Sequence, residues 1–101
     1  CYIQDNIDAC YAAFKNNLYV NDVVNIGGGN ELSVIELAKI IIKVTGSSSS
    51  IIHLPALEEG DMTRRLPDTS KMKTLLNREV TSLEEGLENV IQQGQFISLI
   101  R

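Results

Sequence analysis

Tryptophan is absent, aromatic residues make up only 5% of the 101 residues, and there are just two cysteines, two prolines and one histidine. Cys1 and Cys10 are too few for the disulfide framework that staples small secreted domains, so a reducing, cytoplasmic setting is expected. His53 completes no metal-ligand set with them, and no metal is expected. Positive charge is also scarce: 9 Lys and Arg stand against 13 Asp and Glu, leaving a net charge of −4 with no dense basic cluster. Nucleic-acid affinity comes largely from clustered Lys and Arg that displace counterions, so neither DNA nor RNA is an expected partner. Long apolar runs are missing too. The longest aliphatic run, Ile40-Ile41-Ile42, is flanked by Lys39 and Lys43, far short of the roughly 20 apolar residues that cross a bilayer. No signal peptide is visible, and no membrane contact is expected. The first residue is Cys and a helical pattern begins almost at once, which suggests a segment cut from something longer.

What is present is 44% hydrophobic and 22% charged, the balance of one soluble domain large enough to close a core unaided. From Asp5 to Asn16 the apolar residues Ile7, Cys10, Tyr11 and Phe14 recur at steps of three and four, which predicts a helix with that stripe as its apolar face. Asp22 to Ile26 is β-branched and short, and reads as a buried strand broken by Gly27-Gly28-Gly29-Asn30. Ser33 with Glu36 matches a capping box, so a second helix should start at Val34. Its stripe is Leu37, Ile41 and Val44, widened by Val34 and Ala38, and Gly46 is placed to end it in the left-handed conformation. Ser47 to Ser50 is a polar loop, and Ile51 to Leu54 reads as a second strand stopped by Pro55.

Glu58 to Arg65 has no periodicity and many charges, as expected of an exposed loop. A short helix should follow over Ser70 to Leu76. Ser82 with Glu85 repeats the capping-box pattern before the stripe Leu83, Leu87, Val90 and Ile91, with Gly94 as the stop. Phe96 to Arg101 either extends that helix or straps onto a neighbour. The expected fold class is therefore α/β: a small mixed unit with few short strands and about four helices. Two strands are too few for an independent doubly wound sheet, so the unit is expected to pack against further sheet.

Three motifs carry possible chemistry. Gly27-Gly28-Gly29 lies between a predicted strand and helix, where backbone N–H groups can hold phosphate, but a dinucleotide fingerprint needs glycine where Leu32 stands. A tight turn is the better reading. Tyr11 and Lys15 fit Tyr-x-x-x-Lys, in which an ammonium lowers a phenol's pKa. Because Tyr11 lies on the apolar stripe, a core tyrosine beside a solvated lysine is favoured. Arg64-Arg65 places two forked donors side by side in an acidic chain, suited either to phosphate or carboxylate ligands or to local pairing with Glu58, Glu59 and Asp61. His53 is given no role.

Taken in order, several short motifs resemble a known family. They are Tyr2-Ile3-Gln4-Asp5, then Asn25-Ile26-Gly27-Gly28-Gly29 with Ser33 and Glu36-Leu37-Ala38. Gly60-Asp61, Asp68-x-Ser70-Lys71 and Ser82-Leu83-Glu84-Glu85-Gly86-Leu87 follow. Across almost the whole chain this resembles the C-terminal part of an extended short-chain dehydrogenase/reductase of the nucleotide-sugar epimerase/dehydratase group. The resemblance implies that residues 1–101 form the C-terminal substrate-binding lobe of a Rossmann-type enzyme. The N-terminal NAD-binding domain and the catalytic Tyr and Lys would then lie outside the chain. The lobe would bind no cofactor and contribute no catalytic residue. The whole enzyme, expected as a homodimer, would pass hydride from a sugar C4 to NAD and back, with epimerisation, dehydration or decarboxylation between. The expected ligand is a UDP-sugar or related nucleotide sugar.

The resemblance also bears on the paired arginines. Galactose-type 4-epimerases are similar at Gly60-Asp61 but carry an arginine for the diphosphate where Glu58 stands. UDP-glucuronate decarboxylases are similar at Cys1-Tyr2 and at Arg65-x-Pro67-Asp68, where the arginine reaches the active site. Arg65 is thus the first candidate substrate contact and Arg64 the second. The competing expectation is a free-standing protein-interaction module without enzymatic activity.

Overall fold

In a computed structural model that describes residues 1–60 and 62–94, the capping signals lie where helices begin. The elements are α1 (Ile3–Lys15), α2 (Val34–Thr45), α3 (Ser70–Leu76) and α4 (Leu83–Gln92). At α2 both halves of the capping box form: Glu36 N–H donates to Ser33 Oγ at 3.3 Å, and Ser33 N–H donates to Glu36 Oε2 at 2.8 Å. Two otherwise unpaired backbone donors are thereby satisfied. Gly46 ends α2 at φ 63°, in the left-handed conformation expected of it. At α4 the Ser82 hydroxyl accepts from Glu85 N–H at 3.2 Å, and Gly94 follows the helix at φ 64°. The expected short helix over Ser70 to Leu76 is α3. The tail from Phe96 lies outside the described residues.

The expected α/β class is overturned: the described residues contain four helices and no strand. Both predicted strands are irregular backbone. A ladder needs a second strand, and β-branched alternation supplies only the tendency to extend. Residues 22–26 keep the alternation, with Val24 and Ile26 packed on the core and Val23 exposed, but their polar groups turn to α3 and the residues before it. Lys71 Nζ donates to Val23 O at 2.9 Å, and Asn25 Nδ2 donates to Asp68 O at 3.2 Å. At Gly27 the backbone N–H meets Met72 Sδ at 3.4 Å. Ile51 to Leu54 makes no such contacts and is exposed.

The helices pack in two pairs, α1 with α3 and α2 with α4. The α1 pairing corrects the expected face. Ile7, Cys10, Tyr11 and Phe14 all face solvent, Phe14 at 88% exposure and Tyr11 at 62%. The buried side is the small one: Ala9, with Ala12 and Ala13 beside it, meets Met72 and Leu75 of α3. Small side chains let the two helix backbones approach, whereas the bulky stripe has no facing element among the described residues. On α2, Leu37 and Val44 are half-buried but Ile41 is exposed, and on α4 Ile91 is exposed beside half-buried Leu83, Leu87 and Val90.

Among the described residues the buried apolar side chains are those of Ala9, Met72 and Leu75. The chain's accessible surface is 8528 Å², against about 5,700 Å² for a compact monomer of this mass. A polar bond set supplements the small core. Asp5, 1% exposed, accepts from Arg78 Nη1 at 2.8 Å, Thr81 N–H at 2.9 Å and Thr81 Oγ1 at 2.9 Å. Arg78 Nη2 also donates to Asp8 at 2.6 Å, so α1 grips the segment joining α3 to α4.

Gly27 is required by packing. A Cβ there would lie 2.8 Å from Pro67 Cγ, an overlap that the proline ring and backbone must absorb. Gly27→Ala is therefore expected to cost about 1–3 kcal/mol, read as a lowered urea midpoint with unchanged slope. An unchanged midpoint would show that Pro67 yields freely.

Candidate functional site

The turn Gly28 to Ser33, the start of α2, the segment 62–65, Tyr2 and the inner face of α4 surround a groove of about 1000 Å³. Its position follows from the packing: α2 and α4 make one wall, and α1 presents Tyr2 against Gly86 of α4, the nearest approach being 3.5 Å from the glycine's Cβ direction. Lys73, Glu79 and Glu84 also line the groove, as do Arg64 and Arg65. The structure thus brings the paired arginines beside the Gly28-Gly29 turn, although more than thirty residues separate them in sequence.

The two arginines differ in their surroundings. Arg64 forks onto Glu31, with Nε 2.7 Å from Oε1 and Nη2 2.5 Å from Oε2. That bond holds the Glu31 carboxyl below its ordinary pKa, with desolvation opposing, and raises that of Arg64. Arg65 instead lies over a thioether: its Nε and Nη2 are 3.1 and 2.8 Å from Met62 Sδ. Among the described residues no carboxylate neutralises it. Neither guanidinium pairs with Glu58 or Glu59, the local partners expected from sequence, and Asp61 lies outside the described residues. The bidentate Arg64 pair was not legible, because nothing in Glu31's own neighbourhood marks it as a partner 33 positions away.

The remaining candidates are placed elsewhere. Tyr11 is exposed, with Lys15 Nζ 5.7 Å from its ring centroid, which corrects the expected core tyrosine. Neither residue lines the groove. Gly28 and Gly29 have open space at their Cβ positions, and both line the groove. Cys1 and Cys10 are free thiols, and His53 is exposed. A second cavity of about 320 Å³ between Asp22, Asn25, Asp68 and Lys71 is already internally paired. Lys71 donates to Asp22 at 2.7 Å and stands 5.4 Å over the Tyr19 ring. Among the described residues no three potential metal ligands converge, and no helix is long and apolar enough to cross a membrane.

Geometry alone defines a helical unit whose groove offers, among the described residues, one guanidinium that no carboxylate pairs, beside a glycine turn, an arrangement suited to an anionic ligand. Comparison with known proteins narrows the class. Over 92 residues, 90% of this chain, it is 36% identical to UDP-glucuronic acid decarboxylase 1 of Danio rerio. It is 33% identical over 99 residues to UDP-N-acetyl-alpha-D-glucosaminuronate decarboxylase of Bacillus cytotoxicus, and 34% over 86 residues to GDP-L-fucose synthase of Sinorhizobium fredii. The chain belongs to the extended short-chain dehydrogenase/reductase family of nucleotide-sugar epimerases and dehydratases. It spans 21%, 30% and 27% of the length of these three relatives. No family model and no solved structure matches it.

Proposed function

We propose that residues 1–101 are the nucleotide-sugar-binding lobe of an NAD-dependent epimerase, dehydratase or decarboxylase of UDP-sugar type. Arg65 would take the diphosphate and Arg64 would lie beside it. The observation that carries this reading is the Arg65 guanidinium, paired with no carboxylate among the described residues, at a groove shared with Gly28, Gly29 and Tyr2. An ammonium or guanidinium without a carboxylate partner gains most from an incoming anion, because no internal pair must first be broken. The exposed α1 stripe supports a further part of the reading, that this lobe shares its packing with another domain of the same protein.

The reading places no dinucleotide cradle at the glycine turn. Gly27 is held by Pro67 and Met72, Leu32 replaces the third fingerprint glycine, and no parallel strand precedes the turn. NAD and the hydride-transferring groups are accordingly assigned to the rest of the protein, and no redox step is assigned to this lobe. Its work is to hold the nucleotide so that the sugar carbon meets the chemistry, and such positioning can lower a barrier by about 7–11 kcal/mol in favourable cases. A crystal of the whole protein soaked with a UDP-sugar is expected to place the diphosphate within hydrogen-bonding distance of Arg65. Density for the nucleotide elsewhere, with Arg65 in bulk solvent, would refute the proposal.

A further inference from the structure

Residues 51–60 and 62–66 are exposed throughout and form neither helix nor strand. Among the described residues, the Arg64–Glu31 fork is the sole hydrogen-bonded tie from this segment to the rest of the chain. The next anchors lie outside it, at Ser47, whose N–H donates to Ile42 O, on one side and at Pro67 and Asp68 on the other. Arg65 rides on that segment, and among the described residues its hydrogen-bonded neighbour is Met62 of the same segment. Whatever fixes Arg64 therefore fixes where Arg65 stands.

We propose that Glu31 is a positioning residue for ligand capture, its carboxylate strapping residues 62–66 across the groove so that Arg65 is held at the anion site. The inference rests on the reading of the groove as a nucleotide-diphosphate site. Side-chain exposures of 79% for Arg64 and 28% for Glu31 put the pair near water. Such pairs contribute little to global stability, but a bidentate geometry fixes direction as well as distance. The effect therefore falls on the segment. Freed of Glu31, it would have to be ordered by the ligand, and that ordering entropy weakens binding.

Coulomb attraction alone predicts the opposite sign. Removing a negative charge from a groove that binds an anion should tighten binding, so the direction of the change separates the two accounts. The test is calorimetric titration of the whole protein with UDP, comparing wild type, Glu31→Gln, the Glu31→Arg/Arg64→Glu double variant and Arg65→Ala. Glu31→Gln is expected to weaken UDP binding about fivefold, with little change in thermal midpoint and faster trypsin cleavage after Arg64 or Arg65. The double variant rebuilds the pair with charges exchanged and is expected to recover most of the loss. Unchanged or tighter binding by Glu31→Gln, while Arg65→Ala binds weakly, overturns the strap alone. With the single variant Arg64→Glu titrated alongside, a double variant no tighter than that single variant overturns it as well, because Arg64 would then touch the ligand itself. UDP affinity unaffected by Arg65→Ala removes both the strap and the groove reading.

Discussion

Asp5→Ala is expected to destabilise the protein by about 2–4 kcal/mol, since each enclosed donor left without its acceptor costs about 1–3 kcal/mol. The carboxylate is fully enclosed and takes three hydrogen bonds, two from Thr81 and one from Arg78. Without it, Thr81 N–H and hydroxyl lose their acceptor inside the structure, and the grip of α1 on the α3–α4 connection is reduced to the exposed Arg78–Asp8 pair. A typical domain has about 5–15 kcal/mol in total, and among the described residues the buried apolar core is small, Ala9, Met72 and Leu75. Chemical denaturation followed by far-UV circular dichroism reads the effect. A midpoint within error of wild type would show that Asp5 does not hold the connection.

The same group gives the effect a pH signature. Burial pushes the Asp5 carboxyl up, but hydrogen bonds from Arg78 and Thr81 outweigh it, and the net pKa lies below the ordinary aspartate value. A lowered folded-state pKa means stability that is fully present above the unfolded value, about 3.9, and lost as pH falls from there through the folded value. Wild type and Asp5→Ala should therefore differ most at neutral pH and converge in acid.

Arg65→Ala is expected to weaken UDP-sugar binding or turnover by well over tenfold, since a hydrogen bond to a charged group is worth about 1.5–3 kcal/mol. The loss should exceed that of Glu31→Gln, because Arg65 would touch the ligand whereas Glu31 acts through a loop. Arg65→Lys keeps the charge but not the fork, and should fall between alanine and wild type. Folding stability should barely change, as Arg65 is exposed and its hydrogen-bond partner among the described residues is the Met62 thioether of its own segment. Kinetics identical to wild type would return Arg65 to the surface.

Local signals were legible and distant ones were not. Ser33 with Glu36, Gly46, Ser82 and the Ser70 to Leu76 helix all read correctly, because a cap or short helix is decided within four residues of itself. The strand assignments failed for a different reason. Val23-Val24 and Ile51-Ile52 carry the extended-chain tendency, yet a ladder depends on a partner that sequence pattern cannot supply. On α1, hydrophobicity picked the wrong face: Ile7, Tyr11 and Phe14 are the greasier stripe, but Asp5, Ala9, Ala12 and Ala13 are the side that α3 covers.

The site was legible only in part. Two adjacent arginines in an acidic loop stood out as chemistry, and the ordered short motifs pointed to the family that the relatives share. Which arginine was occupied could not be read, since Glu31 and Met62 carry no mark of their roles. The Asp5, Arg78 and Thr81 set was missed for the same reason: its members lie 73 and 76 positions apart and follow no spacing.

The most direct test of the diphosphate site is to titrate wild type and Arg65→Ala, as whole proteins, with UDP and with uridine. If Arg65 holds the diphosphate, wild type binds UDP at least about tenfold more tightly than uridine, and alanine at this position removes most of that advantage while leaving uridine affinity alone. An advantage of UDP over uridine that survives intact in Arg65→Ala would contradict the account.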